Sequence, residues 1–468
     1  MKNLLLTLAL AVGAMNSGFA ADLYVNNSGQ SGTYTTINGA LAAASSGDRI
    51  FVSPMNFYPE NLVITKSITI APTTVSSKIS LDGTIQIQPI PGMEVTIIGF
   101  EADAINLSTV AATTSLTNTA TLNIISSQFN SNSLLAAVGL KVNVHDTEFK
   151  GELRAFYCNL TKSIVRGLLR IPSINNVGAA NTSDTIRVIA CWLNSVEYNT
   201  HDYHLFASNN YVKTSLNMYR MPGIGISGRS TIVNSYIGEI QYLVDPTRNK
   251  DWSHLDIYNT QATKILAMYM YTRVYSYNGN SSTNYYYSTT DYFDASRWNT
   301  SNSYNTYTYP YNWTNTGNVS GSKTPNVLYC QTNLPDYSLF GGSSSLSSFY
   351  IKENLTGITS KTDLAGSIHY VLPSSPIGLT AVDDVKNPTW IDQFIGIYKD
   401  LGSPASNFTD LDLTRNDIGI LGGSHSWLNY WYNDTVATGK AVIRWVDLPS
   451  EIWPGQTVNL KAEAVHTN

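Results

Sequence analysis

Charge is scarce in this chain. Of 468 residues, 13% are Asp, Glu, Lys or Arg, about half of the ~25% found in an average protein. The 33 acidic and 28 basic residues leave a net charge of −5. That sign argues against a nucleic-acid binder, which needs a basic face against phosphate. Cysteine is equally scarce, with Cys158, Cys191 and Cys330 the only three. Three is an odd number and too few for a disulfide framework. Cys158 and Cys191 pair if neighbouring turns bring them together; otherwise all three are small buried side chains. The lack of a CxxC phrase argues against a thiolate zinc site. No apolar run is long enough to span a bilayer. Against these absences stand 43% hydrophobic residues and 30 Tyr, too much apolar surface for a disordered chain. The length fits two to three compact domains or one elongated repeat structure.

The first twenty residues read as an export signal. Lys2 precedes the apolar run Leu4 to Val12, and Gly18 and Ala20 place small residues before a cut at Ala21. Removal of residues 1–20 leaves 27 basic against 33 acidic residues, a charge of −6. A secreted or cell-surface bacterial protein is the expectation.

Residues 22–72 hold short strands and one helix. Leu23-Tyr24-Val25 is strand-like; Ile37, Ala40, Leu41 and Ala44 fall at helical spacing, ended by Ser46-Gly47. From residue 120 a phrase recurs: an apolar residue, small polar residues, then an apolar residue. It appears as Ile125-Ser126-Ser127-Gln128-Phe129, Ile189-Ala190-Cys191-Trp192-Leu193 and Ile232-Val233-Asn234-Ser235-Tyr236-Ile237, among others. Its closing positions 129, 149, 165, 193, 211, 237 and 262 lie 20, 16, 28, 18, 26 and 25 residues apart, about 22 on average. A period of ~20–50 residues signals a solenoid. Short strands with Asn and Ser corners suit a parallel β-helix, in which each coil is too small to bury its own core and must stack. A β-sandwich would show more hairpin signals of the kind Asn278-Gly279 provides.

Two stretches carry a family resemblance. Tyr34-Thr35-Thr36-Ile37-Asn38-Gly39-Ala40-Leu41, Gly47-Asp48-Arg49-Ile50-Phe51-Val52 and Ile64-Thr65-Lys66-Ser67-Ile68-Thr69-Ile70 together resemble the start of secreted pectin-lyase-like right-handed β-helix proteins. In those an amphipathic helix plugs the first coil. Ser375-Pro376 and the run Asp410 to Gly423 are similar to the D-x-D-G-T-R-N-D-x-G-A-x-G-G signature of secreted bacterial β-helix proteins of Bacteroidetes type, with Leu413 where that pattern has Gly. The resemblance implies an all-β, right-handed parallel β-helix with an N-terminal capping helix and a small β-rich C-terminal cap. It says less about activity, since that fold hosts lyases, hydrolases, esterases, adhesins and tailspikes.

The chain then divides into a signal peptide (1–20), an N-terminal cap and first coils (21–72), a parallel β-helix (73–270), a Tyr/Asn/Ser-rich insert (271–322), final coils with the closing signature (323–439) and a C-terminal β cap (440–468). The insert holds Tyr285, Tyr286, Tyr287, Tyr292, Trp298, Tyr307, Tyr309 and Trp313. Amphipathic rings stack on sugar faces while nearby amides and hydroxyls take the sugar hydroxyls, so these residues are the candidate glycan-binding set. Outward Tyr ladders and a low-complexity loop are the rival readings.

Catalytic phrases are missing. None of Arg154, Arg166, Arg170, Arg187, Arg220 or Arg229 sits in a lyase phrase, and there is no serine-hydrolase elbow, phosphate loop or dinucleotide fingerprint. The densest polar cluster is Glu197, His201, Asp202 and His204, the candidate acid–base or metal set; a solvated coil corner is the alternative. His145, Asp146 and Glu148 form a smaller group. Asp410, Asp412 and Asp417 are spaced like calcium-loop carboxylates, and the same side chains can instead cap turns. No certain cofactor follows, with calcium the candidate. Three functions stay open. The first is a non-catalytic protein that binds polysaccharide or cell-surface glycan, as in adhesion. The second is a polysaccharide lyase or glycoside hydrolase, and the third an extracellular structural or filament subunit that self-associates end to end.

Overall fold

β-branched residues at alternate positions fit a pleated, half-buried surface. Ile68-Thr69-Ile70, Ile85-Gln86-Ile87 and Leu140-Lys141-Val142-Asn143-Val144 follow that rule. In the computed structural model all three runs are strands whose apolar members are buried. The structure describes residues 20–54, 56–74, 77–108, 119–172, 185–198, 203–218, 229–244, 254–277, 280–288, 305–308, 326–332, 360–362, 368–371, 400, 402, 410, 414–431, 441–447 and 461–466. They fall into two compact units, 1–150 and 151–468. Among the described residues no helix is long and apolar enough to cross a membrane.

The first unit begins with β1 (Asp22–Val25), α1 (Ile37–Ala43), β2 (Arg49–Val52), β3 (Phe57–Tyr58) and β4 (Leu62–Ile64). Next come β5 (Ile68–Pro72), β6 (Ile79–Leu81), β7 (Thr84–Ile87), β8 (Glu94–Ile98), β9 (Phe100–Ala102) and β10 (Ala104–Leu107). It ends with β11 (Ala120–Ile125), β12 (Gln128–Phe129), β13 (Ser133–Leu135), β14 (Leu140–His145) and β15 (Glu148–Phe149). Parallel ladders run β1-β2-β5-β8-β11-β14, β3-β6-β9-β12-β15 and β4-β7-β10. The unit is therefore a parallel β-helix with three faces. Ile50, Ile70, Ile97, Ile124 and Val144 fall in one register column, all buried. Each contributes about 1.5–3 kcal/mol relative to an exposed side chain.

Helix α1 buries Ile37, Ala40 and Leu41 and packs on β1, β2 and β4, as the spacing of those residues predicts. Its end groups are satisfied by neighbours. Thr36 Oγ1 accepts from Gly39 N at 3.0 Å, and the Glu60 carboxylate accepts from Ile37 N at 2.7 Å and Asn38 N at 2.9 Å. Lys66 Nζ donates to Leu41 O at 3.1 Å and Ala44 O at 2.6 Å at the C-terminal end.

The second unit contains β16 (Leu153–Ala155), β17 (Cys158–Thr161), β18 (Ile164–Ile171), β19 (Thr185–Ile189), β20 (Trp192–Tyr198) and β21 (His204–Ser208). β22 (Tyr211–Met218), β23 (Arg229–Val233), β24 (Tyr236–Val244), β25 (His254–Tyr258) and β26 (Gln261–Tyr277) follow. Then come β27 (Asn280–Ser288), β28 (Asn305–Thr308), β29 (Asn326–Thr332), β30 (Ser360–Thr362) and β31 (Ile368–Val371). A short helix α2 (Trp427–Trp431) precedes β32 (Ala441–Asp447) and β33 (Lys461–His466). Parallel ladders run β17-β19-β21-β23-β25-β29 and β18-β20-β22-β24-β26. Leu160, Val188, Ala207, Ile232 and Ile257 stack on the first, and Leu169, Val196, Leu216 and Ile240 on the second, all buried. β32 and β33 pair antiparallel as a separate two-stranded sheet, the β-rich tail; Thr457 to Leu460, read as the start of its second strand, lie outside the described residues.

The repeated phrase is the coil corner. Ser126, Asp146, Lys162, Ala190, Asn209, Asn234 and Asn259 all have φ between 47° and 53°, a left-handed conformation that Asn and Asp tolerate best among L-residues and that Lys162 and Ala190 adopt here as well. After six of these seven corners the next side chain bonds back two residues: Ser127 to Ile125 O, Thr147 to His145 O, Ser163 to Thr161 O, Ser235 to Val233 O and Thr260 to Tyr258 O at 2.8–2.9 Å, and Cys191 Sγ to Ile189 O at 3.2 Å; after Asn209, Asn210 Nδ2 donates instead to Val188 O at 2.7 Å. One detail differs from the sequence reading. Register places Val212, not Tyr211, in the column of Leu193 and Ile237. Both neighbours are apolar and buried, so composition alone does not separate two residues that point to opposite sides of one strand.

β18, β20 and β22 each carry a register shift, between Val165 and Leu168, Leu193 and Ser195, and Val212 and Ser215. Glycine fits such bends because another backbone approaches closely. A Cβ on Gly167 would strike the Gly151 carbonyl, and one on Gly238 the Thr214 carbonyl. Gly238→Ala is expected to lower folding stability by about 1–3 kcal/mol and Gly238→Val by more. Urea denaturation checks the order, and equal midpoints for the three proteins would contradict it.

Candidate functional site

Two features of the second unit bear on function: a tyrosine-rich ribbon and a clasp formed by the segment after residue 400. β26 runs first as a coil strand, parallel to β24 as far as Tyr269. From Tyr269 onward it pairs antiparallel with β27, and over Thr272–Tyr275 also with β28. β26 is thus the middle strand of an antiparallel ribbon. Tyr277 pairs with Asn280; Asn278-Gly279, the hairpin-type pair of the sequence, lie outside the described residues.

Strand period two then sorts the residues by face. Tyr269, Tyr271, Tyr275 and Tyr277 share a face of β26, and the register adds Tyr286 from β27 and Tyr307 from β28. Arg273 and Asn284 belong to the same face. Of the candidate glycan-binding residues, Tyr286 and Tyr307 are brought together, whereas Tyr285 and Tyr287 fall on the opposite face. Tyr292, Trp298, Tyr309 and Trp313 lie outside the described residues. The four tyrosines of β26 were not singled out in the sequence. Their alternation from 269 to 277 is the signal that identifies them.

The clasp is built on the corner asparagines. Asn209 Nδ2 donates to Ile420 O at 3.0 Å and Gly422 O at 2.6 Å. Asn234 Nδ2 donates to Asn416 Oδ1 at 2.6 Å and Asp417 O at 2.8 Å. Gly419 N donates to Asn259 O at 2.7 Å. Three successive corners thus bind one returning segment. Gly422 is required there, because a Cβ would strike the Asp417 carbonyl and the Asn234 amide. Under the segment lies a second, outer core. Trp192, Tyr211 and Tyr236 are register neighbours and stack, with ring centroids 6.2 Å and 5.4 Å apart. Ile420, Trp427 and Trp431 cover that column. The two tryptophans complete the seal by donating Nε1–H to coil carbonyls, Trp427 to Asn209 O and Trp431 to Ala190 O.

The calcium candidates sit inside this clasp. Asp410 accepts from Asp417 N at 3.1 Å through Oδ2 and from Gly423 N through Oδ1, and Asp417 Oδ1 accepts from Asp400 N at 2.7 Å. These carboxylates cap backbone donors in the turn, and Arg415 Nε reaches Gly402 O at 2.6 Å. Asp412 lies outside the described residues, and among the described residues no three metal-binding side chains gather.

At the rim of the clasp is His425. Its Nδ1 is 3.2 Å from Ser424 Oγ and 3.5 Å from Ser208 Oγ, and its ring faces Phe206 edge-on. Arg187 lies over the Phe206 ring at 5.8 Å. Burial, then the Arg187 charge, holds the His425 pKa below the ordinary 6.5. Ser208 donates its proton to Asn209 Oδ1 at 2.7 Å, so its hydroxyl hydrogen is committed to the corner amide and not to the imidazole. That is structural hydrogen bonding and does not activate a nucleophile.

Of the Glu197 cluster, the structure describes Glu197 and His204. Glu197 on β20 accepts from Arg170 Nε at 2.8 Å, and Arg170 also approaches Glu152 at 3.6 Å. His204 belongs to β21, in the other ladder, opposite Thr185; His201 and Asp202 lie outside the described residues. In the first unit Asp146 accepts from Ser126 Oγ at 3.0 Å, corner against corner. Cys158 and Cys191 are free and buried. Burial raises both thiols, Cys191 to about 12, so they act as small core side chains. Cys330 lies on β29, and its side chain is not among those described. No family model, curated protein or solved structure matches this chain.

Trp427→Ala is expected to cost about 3–5 kcal/mol, as for a large core truncation, and Asn234→Ala about 1–3 kcal/mol for the buried groups it leaves unpaired. Both are expected to speed proteolytic cutting between residues 410 and 431, read by mass spectrometry. For His425 the folded pKa is depressed, so the neutral form is the one the fold favours. Stability is full above the ordinary value near 6.5 and falls as pH drops below it, until the folded pKa is passed. His425→Gln should flatten urea midpoints between about pH 7.5 and about pH 5 relative to the unmodified protein.

Proposed function

We propose that this is an exported β-helix protein, similar to the pectin-lyase-like class, that binds polysaccharide or cell-surface glycan without cleaving it. One observation carries the reading: six tyrosines, with Arg273 and Asn284, share a single face of the β26–β28 ribbon by register. Tyr rings offer apolar faces for sugar rings and hydroxyls for their edges, and the amide and guanidinium add fixed hydrogen-bond donors. Repeated shallow contacts of this kind suit an extended polymer, whose units engage in series. The Arg170 guanidinium is matched by the Glu197 carboxylate, which removes one of the six arginines that could meet developing charge in a lyase.

A glycan array probed with the unmodified protein and with the combined Tyr271→Ala, Tyr275→Ala, Tyr286→Ala and Tyr307→Ala variant tests this. Each removed ring is expected to cost about 1–2 kcal/mol, roughly tenfold in affinity, with Tyr285→Ala and Tyr287→Ala weaker in effect. Unchanged binding by the combined variant would remove the reading. Release of unsaturated sugars from an acidic polysaccharide would replace it with a lyase.

A further inference from the structure

The start of the first unit holds a carboxylate in an unusual setting. Asp48 follows the tight turn at Gly47, whose φ is 97°, and is only 7% exposed. Its Oδ2 accepts from Ser45 N at 2.7 Å, closing the turn, and its Oδ1 accepts from Ala21 N at 2.8 Å. Ala21 is 27 residues away in sequence and is the residue immediately before β1. The next pair repeats the arrangement: Arg49 N donates to Ala21 O at 2.9 Å, and the Arg49 guanidinium grips Asp22 through Nε and Nη2 at 2.8 Å and 2.9 Å. Two consecutive residues, Asp48 and Arg49, therefore hold two consecutive residues, Ala21 and Asp22, by backbone and side chain. Ala20 and Ala21 are exposed, so the peptide bond between them is open to solvent while the nitrogen on its far side is anchored.

A carboxylate bonded only to neutral amides, as Asp48 is, has no counterion in contact, so a cation placed on one of its partners adds a charge pair. A counterion appears if the bond before Ala21 is cut. We propose that Asp48 is the receptor for a free α-ammonium on Ala21, created when an endoprotease cleaves the Ala20–Ala21 bond after export. Water adds across that peptide bond, leaving a carboxylate on Ala20 and an ammonium on Ala21. The 2.8 Å contact, in which the carboxylate already accepts from a neutral amide, then joins two opposite charges. The small residues Gly18 and Ala20 before the bond fit such a protease, and this inference rests on the export reading of residues 1–20. Asp48 is already held below the ordinary carboxylate range, by the Ala21 N–H, then by the Ser45 N–H, with Lys66 adding a smaller attraction. The charged groups that face the new terminus are Asp48 and Asp22, which favour its protonation, and Lys66 and Arg49, which oppose it.

The test has two arms. The full chain is exported from a bacterial host and its released form sequenced from the N-terminus. Ala21 as the first residue is expected, and any other first residue overturns the processing site. Separately, protein beginning at Ala21 is prepared free and Nα-acetylated, each with Asp48 and with Asp48→Asn. Acetylation is expected to lower the folding equilibrium constant about tenfold with Asp48 present, and not at all in the Asp48→Asn background, where a neutral amide replaces the carboxylate. Equal effects in both backgrounds overturn the receptor even if export and cleavage occur as expected. Should Asp48→Asn fail to fold, the α-amino pKa of the unsubstituted protein, measured by NMR after reductive methylation, decides. A value above the ordinary ~7.7–8.0 supports the pair, and a value at or below it overturns the proposal.

Discussion

The coil corner is the constraint on which each unit depends. At every corner the chain turns through a left-handed residue, and the N–H of that residue must find a partner or be buried at a cost. The partner is the carbonyl that precedes the next corner: Ser126 N to His145 O, Lys162 N to Ile189 O, Ala190 N to Ser208 O, Asn209 N to Val233 O and Asn234 N to Tyr258 O, at 3.0–3.1 Å. No coil can satisfy this bond alone. The inward columns of Ile, Leu and Val supply most of the burial energy, but the corner bonds fix the register in which those columns align. Slip by one residue exchanges Val212 for Tyr211 and turns the core outward.

The same corners do a second task in the second unit. Where Asn occupies the left-handed position, its side-chain amide is left over after the backbone is satisfied. Asn209 and Asn234 spend that amide on the returning segment, and Asn259 offers its carbonyl. Ser126 and Asp146 occupy the same backbone state and bond each other, Ser126 Oγ donating to Asp146 Oδ2 at 3.0 Å. Local conformation therefore specifies the turn, while the identity of the residue specifies what docks on it.

Much of the architecture was legible in the sequence because it is periodic. The recurring phrase marked the corners, the spacing of Ile37, Ala40 and Leu41 marked the capping helix, and alternation marked the strands. What escaped detection was either aperiodic or remote. The register shifts depend on Gly167 and Gly238 meeting a neighbouring coil's backbone, which no single-coil pattern reveals. The partners of Asn209 lie more than 210 residues away, and a spacing of that size leaves no local trace. For the tyrosines, composition pointed to the region, yet which rings share a face depended on the pairing of β26 with β27 and β28. The polar cluster at 197–204 is dense along the chain, and His201 and Asp202 lie outside the described residues. Its described members, Glu197 and His204, belong to different ladders.

The outer aromatic column has a consequence for how the protein is made. Trp192, Tyr211 and Tyr236 are complete as a stack once residue 236 has been synthesised, but their cover, Ile420, Trp427 and Trp431, follows almost two hundred residues later. During that interval a sticky strip of rings faces water, the kind of surface that chaperones hold and proteases inspect. A chain that stops short of the cover keeps the strip bare. Burial of the strip therefore waits on the segment that carries Ile420, Trp427 and Trp431.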